Sequence, residues 1–124
     1  MLLKPISSND NILIVANIFS SSNNTIINLS TLDSRVFFCG STGFLNIKGA
    51  KRSTSYASQR IANVLGRKLY SIGFRFVYII VKGFGNGRYS SLKGFNNAGL
   101  KILSILDNTS VPFNGCNSRK KRRI

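Results

Sequence analysis

Residues Ser55–Arg88 read SYASQRIANVLGRKLYSIGFRFVYIIVKGFGNGR, and two periodicities meet inside them. Ala57, Ile61, Val64, Leu65, Leu69 and Ile72 recur at spacings of three and four, which places them on one face of a helix. Arg60, Asn63 and Arg67 fall on the other face. Gly73 stands where a helix ends, at a position that favours left-handed backbone. FRFVYIIV (74–81) is then a short β-rich apolar run and predicts a buried, central strand. The glycine loop GFGNG (83–87) leads into a second helix around Tyr89–Ala98, stopped by Gly99, and LKILSIL (100–106) reads as the last strand.

Outward from this block, the N-terminal third has strand character. ILIVANIF (12–19) is a compact apolar run, SSSNN a turn cluster and TIINL a second strand, so residues 12–30 predict a hairpin. TLDSR turns the chain again into VFFC (36–39). The order is therefore β-β-β-α-β-α-β. Two strand–helix–strand steps require parallel strands in part of the sheet, giving an α/β domain with a mixed, roughly five-stranded sheet. The chain divides into an N-terminal arm (1–11), a single domain (12–107) and an extended basic tail (108–124). At 124 residues one core is what the length supports.

The charge balance is lopsided: eighteen Lys and Arg face three acids, Asp10, Asp33 and Asp107, for a formal net charge of +15. A body that size repels itself unless a polyanion lies against it: nucleic acid, an anionic membrane or an acidic protein. The apolar run Ile12–Phe19 is interrupted by Asn17 and falls far short of the ~20 residues of a spanning helix. MLLKPISSND resembles neither a secretory signal nor an Arg-rich transit peptide. Cys39 and Cys116 are too few and too far apart for a secreted disulfide scaffold, and with no His there is no metal-ligand set. No Glu and no His also leaves acid–base, nucleophilic and metal-assisted catalysis without its groups. Asp107 reads as a turn or capping residue. The composition predicts no enzyme, no cofactor, no metal, no small-molecule substrate and no membrane partner.

Two loops open helices with cations. In Lys82-Gly83-Phe84-Gly85-Asn86-Gly87-Arg88 the glycines alternate as G-x-G-x-G, which misses the dinucleotide fingerprint and lacks the P-loop Lys-Ser/Thr. A plain tight turn is one reading. The other has the backbone N–H groups approaching a phosphate of a polymer, the glycines keeping side chains out of its way, with Lys82 and Arg88 adding charge. Lys48-Gly49-Ala50-Lys51-Arg52-Ser53-Thr54-Ser55 has the same placement before the long helix, read either as a basic linker with a Ser/Thr cap or as a phosphate site. Both loops should leave the carboxyl ends of strands and share one rim. Tyr56, Phe84 and Tyr89 stand nearby for base stacking, with core packing an equal reading for Phe84. The tail, PFNGCNSRKKRRI (112–124), turns at Asn114-Gly115 and ends in five consecutive cations, Arg119, Lys120, Lys121, Arg122 and Arg123. Alone, that run fits a solvated tail, an import signal or a nucleic-acid arm.

KGAKRSTSYASQ, VKGFGNGR, AGLKI and PFNGC…RKKRRI, in this order and preceded by FSSSNNTI, closely resemble the S-eleven family of small-subunit ribosomal proteins over residues 12–124. The resemblance implies a ribonuclease-H-like fold without nuclease activity. It also implies a structural role on the platform of the small subunit, bound to ribosomal RNA beside neighbouring ribosomal proteins and near the messenger-RNA exit path. Carried over residue by residue, it marks Lys48, Gly49, Lys51, Arg52, Ser53 and Thr54, then Lys82, Gly83, Gly85, Gly87 and Arg88, then Asn114, Gly115, Cys116 and Lys120–Arg123. Arg60 and Arg119 join them on charge and position. Phe84 replaces a usual Pro, Tyr89 an acid that is common there and Phe113 a His, while Asn117-Ser118-Arg119 replace a proline segment. The basic N-terminal extension of bacterial and plastid relatives is short or missing, and composition drifts toward that of AT-rich genomes. Both favour the matrix of a mitochondrion, in its ribosome, over a plastid or the bacterial cytoplasm. The competing reading is a free-standing basic RNA-binding or RNA-processing protein on the same fold.

Overall fold

The computed structural model describes residues 13–47 and 49–123, so the N-terminal arm and Lys48 lie outside the described residues. Five strands and two helices run in the predicted order: β1 (Ile14–Ser20), β2 (Thr25–Thr31), β3 (Val36–Ser41), α1 (Ser55–Ile72), β4 (Phe76–Lys82), α2 (Gly87–Asn97) and β5 (Lys101–Asp107). Two single-turn 3₁₀ segments, Thr42–Leu45 and Gly49–Ser53, lie between β3 and α1. They occupy what the sequence presents as a plain linker.

The sheet order is β3-β2-β1-β4-β5, with β1/β2 and β2/β3 antiparallel and β1/β4 and β4/β5 parallel. The middle strand is therefore β1. β4 is an interior strand beside it. The step from β3 through α1 to β4 passes over two strands, and only the step through α2 joins neighbours. This order has a simple consequence: β1, β3, β4 and β5 all point the same way. Everything that follows one of them leaves the sheet at a single edge.

Strand alternation sorts the side chains. Ile14, Ala16 and Ile18 of β1, Ile27 and Leu29 of β2, and Val77, Ile79 and Val81 of β4 are buried together. From the helices they meet Ile61, Ala62, Leu65, Leu69 and Phe95, and the core closes with Phe74 and Leu100. Both helices cover this one face. The stripe of α1 is wider than its large apolar residues suggest, because Ser58, Ala62 and Gly66 are buried too, while Val64 is half-buried and Ile72 exposed. The reason is the second helix. A Cβ on Gly94 would stand 2.5 Å from the Gln59 carbonyl oxygen, and one on Gly66 2.7 Å from the Ala98 Cβ. Small residues let α2 lie against α1.

α1 begins with the Thr54 side chain accepting a hydrogen bond from the Ala57 amide (3.4 Å). It ends at Gly73, whose φ of 121° lets its N–H reach back to the Leu69 and Tyr70 carbonyls. β5 is an edge strand exposed along its length apart from a half-buried Ile102, so its apolar sequence does not mark a buried position. From Asn108 the described chain is irregular and exposed apart from a half-buried Thr109.

Candidate nucleic-acid interface

At the shared edge the connections touch one another. The turn after β1 packs on the glycine loop: Gly85 N–H donates to the Ser20 carbonyl (3.1 Å) and Gly87 N–H to the Ser20 hydroxyl (3.2 Å). Thr25 and Ser58 share a hydroxyl–hydroxyl bond of 2.9 Å directly beneath, tying β2 to the first turn of α1. Ser55 reaches the Asn86 carbonyl (3.4 Å), and Thr42 donates to Asn24. The start of the tail joins through Asn108 N–H to the Val81 carbonyl (2.9 Å) and through Gly83 N–H to the Thr109 hydroxyl (3.2 Å). The predicted rim is real, and it includes the tail root and the β1–β2 turn.

The glycines of this loop serve a different purpose from the one expected. The N–H groups of Gly83, Gly85 and Gly87 are all spent on internal acceptors, so they form no anion-binding nest. Side chains there would strike the protein itself. A Cβ on Gly83 or Gly85 would run into the Ser20 or Ser21 backbone, and one on Gly87 into the Thr25 and Ser58 hydroxyls. Gly83 also has a φ of 88°. The G-x-G-x-G spacing is thus a packing pattern: Gly83 and Gly85 face Ser20 and Ser21 after β1, and Gly87 faces Thr25 of β2 and Ser58 of α1.

Arg88 is likewise engaged. Its guanidinium pairs with Asp107 (2.5 Å) and donates to the Gly83 carbonyl (2.8 Å), and it is the one salt-bridged cation among the described residues. Asp107 also accepts from the Thr109 hydroxyl (2.6 Å) and the Thr109 amide (3.1 Å), as a turn residue would. These contacts lower the Asp107 carboxyl to about 2, the Thr109 hydroxyl contributing most and Arg88 next. Arg88 therefore braces the glycine loop against the root of the tail. It also lies 5.5 Å from the Phe84 ring centre and 5.8 Å from that of Tyr89.

Most of the remaining cations in the basic segments point outward. Gly49 (φ 66°) and Lys51 are exposed, whereas Arg52 is half-buried and donates to the Ile47 carbonyl (2.8 Å) beside Gly43. The Ser53 and Thr54 hydroxyls turn back onto the Ala50 and Lys51 carbonyls (2.8 and 2.7 Å). Arg60 is exposed on α1, and Lys82 is exposed at the end of β4. Asn114 takes a left-handed φ of 59° and, with Gly115, turns the chain; Arg119–Arg123 are fully in solvent. Cys116 is an exposed thiol.

Aromatic rings stud this edge. Tyr56, Phe84 and Tyr89 are 70, 79 and 71% exposed, so Phe84 is no core residue. Phe113, which stands where the family has a His, is exposed as well, and so is Phe44, an isolated Phe that carries the ordinary sequence signature of core. Flat faces, free cations and a single, already paired acid are what a single-stranded or irregular polyanion needs. Among the described residues no group of three His, Cys, Asp or Glu gathers to hold a metal, and no helix is long and apolar enough to cross a membrane.

The family described as Ribosomal protein S11 matches residues 14–123. The small ribosomal subunit protein uS11 of Thermosipho melanesiensis is 43% identical over 108 residues, 87% of this chain and 84% of that protein. The protein uS11c of Oltmannsiellopsis viridis is 40% identical over 110 residues, covering 89% and 85%. The protein uS11m of Marchantia polymorpha is 42% identical over 105 residues, covering 85% and 84%.

Proposed function

The chain belongs to the Ribosomal protein S11 family, and from that premise we propose that it is a structural, non-enzymatic constituent of the small ribosomal subunit that binds ribosomal RNA. The observation that carries this reading is the convergence on one sheet edge of the β1–β2 turn, the Gly49–Thr54 segment, the glycine loop and the tail root. Lys51 and Lys82 face solvent there, the tail that leaves from this edge carries the exposed Arg119–Arg123, and the nearest acid is neutralised by Arg88. Gly49, Arg52, Ser53, Thr54 and the glycines shape the RNA-facing surface from within. Lys51, Arg60, Lys82 and the tail cations contact phosphate, and Lys48 extends the same set in sequence. Residues 108–124 form an arm that runs out from the domain 12–107 into the RNA.

On this reading the protein sits on the platform beside neighbouring ribosomal proteins, close to the messenger-RNA exit path, and its compartment is the mitochondrial matrix. The compositional drift supports that placement. Gradient sedimentation in moderate salt tests the proposal: the tagged chain should travel with the small subunit. Recovery at the top of the gradient, with intact particles below it, would assign the chain to a free RNA-binding role.

A further inference from the structure

The helices cover one face of the sheet; the other face carries a second, smaller constellation. Asn17 of β1 stands directly opposite Asn28 of β2, and the next pair on the same face is Phe19 opposite Ile26. On the far side of β1, Lys82 of β4 is the parallel partner of Phe19. Together with Ile18 these residues line an open cleft of about 300 Å³. Paired asparagines are unusual in the interior of a sheet, where amides are depleted. Phe19 is half exposed, and the Asn28 side-chain carbonyl is covered without any hydrogen-bond partner. A buried acceptor left unpaired opposes folding and calls for an explanation.

We infer that this cleft receives one unpaired RNA base, in a site that rests on the RNA-binding reading above and extends it onto the open sheet face. The parts match a base and its backbone. Phe19 offers an aromatic face for stacking. An asparagine amide presents a donor and an acceptor in one plane, the pattern a base edge complements. Asn17 and Asn28 both line the cleft. Lys82 sits at the mouth, exposed, where the attached phosphate would lie. It also immediately precedes Gly83, so the cleft continues directly into the cationic rim. A neutral protein side chain would use the stacking surface but not the lysine, and the net charge of +15 selects a polyanion.

Full-length protein titrated with a twelve-nucleotide oligouridylate carrying 4-thiouridine, and with a duplex of equal length, tests the site. Phe19→Ala should weaken the single strand about tenfold, the scale of one lost base stack, and leave duplex affinity unchanged. Asn28→Val should also weaken single-strand binding while raising the melting temperature of the free protein, which separates recognition from folding damage. Photocrosslinks should fall on the peptide containing Phe19. A third variant with Arg119–Arg123 changed to Gln should lose affinity for both probes. If that variant weakens binding while Phe19→Ala and Asn28→Val do not, the base site is overturned. If all three bind as the parent does, the RNA-binding reading itself fails.

Discussion

At the scale of single residues, charge in the sequence and charge available at the surface are different quantities. Arg88 and Arg52 both read as phosphate ligands, yet one is committed to Asp107 and Gly83 and the other to the Ile47 carbonyl. The local sequence could not reveal the Arg88 pairing, because Asp107 lies a whole helix and strand away. The glycine spacing was legible as a special loop but not as a packing pattern, since its partners Ser20, Ser21, Thr25 and Ser58 come from distant segments. The Asp107 contacts carry a pH signature. Its folded pKa is lowered to about 2 from an ordinary 3.8, so the stabilisation is present above pH 3.8 and is lost as pH falls toward 2. A carboxyl titration followed by NMR should show a midpoint near 2 for Asp107, moving back toward 3.8 in Thr109→Ala. A midpoint already near 3.8 in the parent protein would mean the brace does not form in solution.

At the scale of elements, the strands and helices were readable because each is locally consistent: β-rich runs bounded by Ser/Asn turns, a helical stripe stopped by Gly73, a second helix stopped by Gly99. The start of α2 was misjudged by two residues because Gly87 is a poor helix former held in place by packing. The same contest sets the fate of Gly94→Ala. Alanine would favour the isolated helix by about 1 kcal/mol. Its methyl would meet the Gln59 carbonyl and the Ala62 Cβ (2.7 Å), and backbone cannot yield as a flexible side chain can. Overpacking of this kind costs about 1–3 kcal/mol or more, so packing wins. Urea unfolding should show Gly94→Ala less stable than the parent by about that margin; a neutral or stabilising result would mean the helices are not in the described contact.

At the scale of the whole molecule, the strand directions decide where function can sit. Because β1, β3, β4 and β5 are mutually parallel, the connections that follow them meet at one edge, and the family's basic segments all lie in those connections. The sequence foretold that meeting for two loops only; the tail root and the β1–β2 turn joined through hydrogen bonds that no spacing rule encodes. The opposite edge carries cations too, at Arg35, Lys68 and Lys101, all exposed. Net charge alone would make the two edges equivalent for RNA; a built interface makes them unequal. The direct test is the salt dependence of affinity for small-subunit ribosomal RNA. Changing Lys51, Lys82 and Lys120 to Gln should flatten the slope of log K against log salt by about 2–3, one increment per lost phosphate contact. The matched triple change of Arg35, Lys68 and Lys101 should leave the slope as it was. Equal flattening by the two triple variants would contradict the account, reducing the rim from an interface to one side of a uniformly basic body.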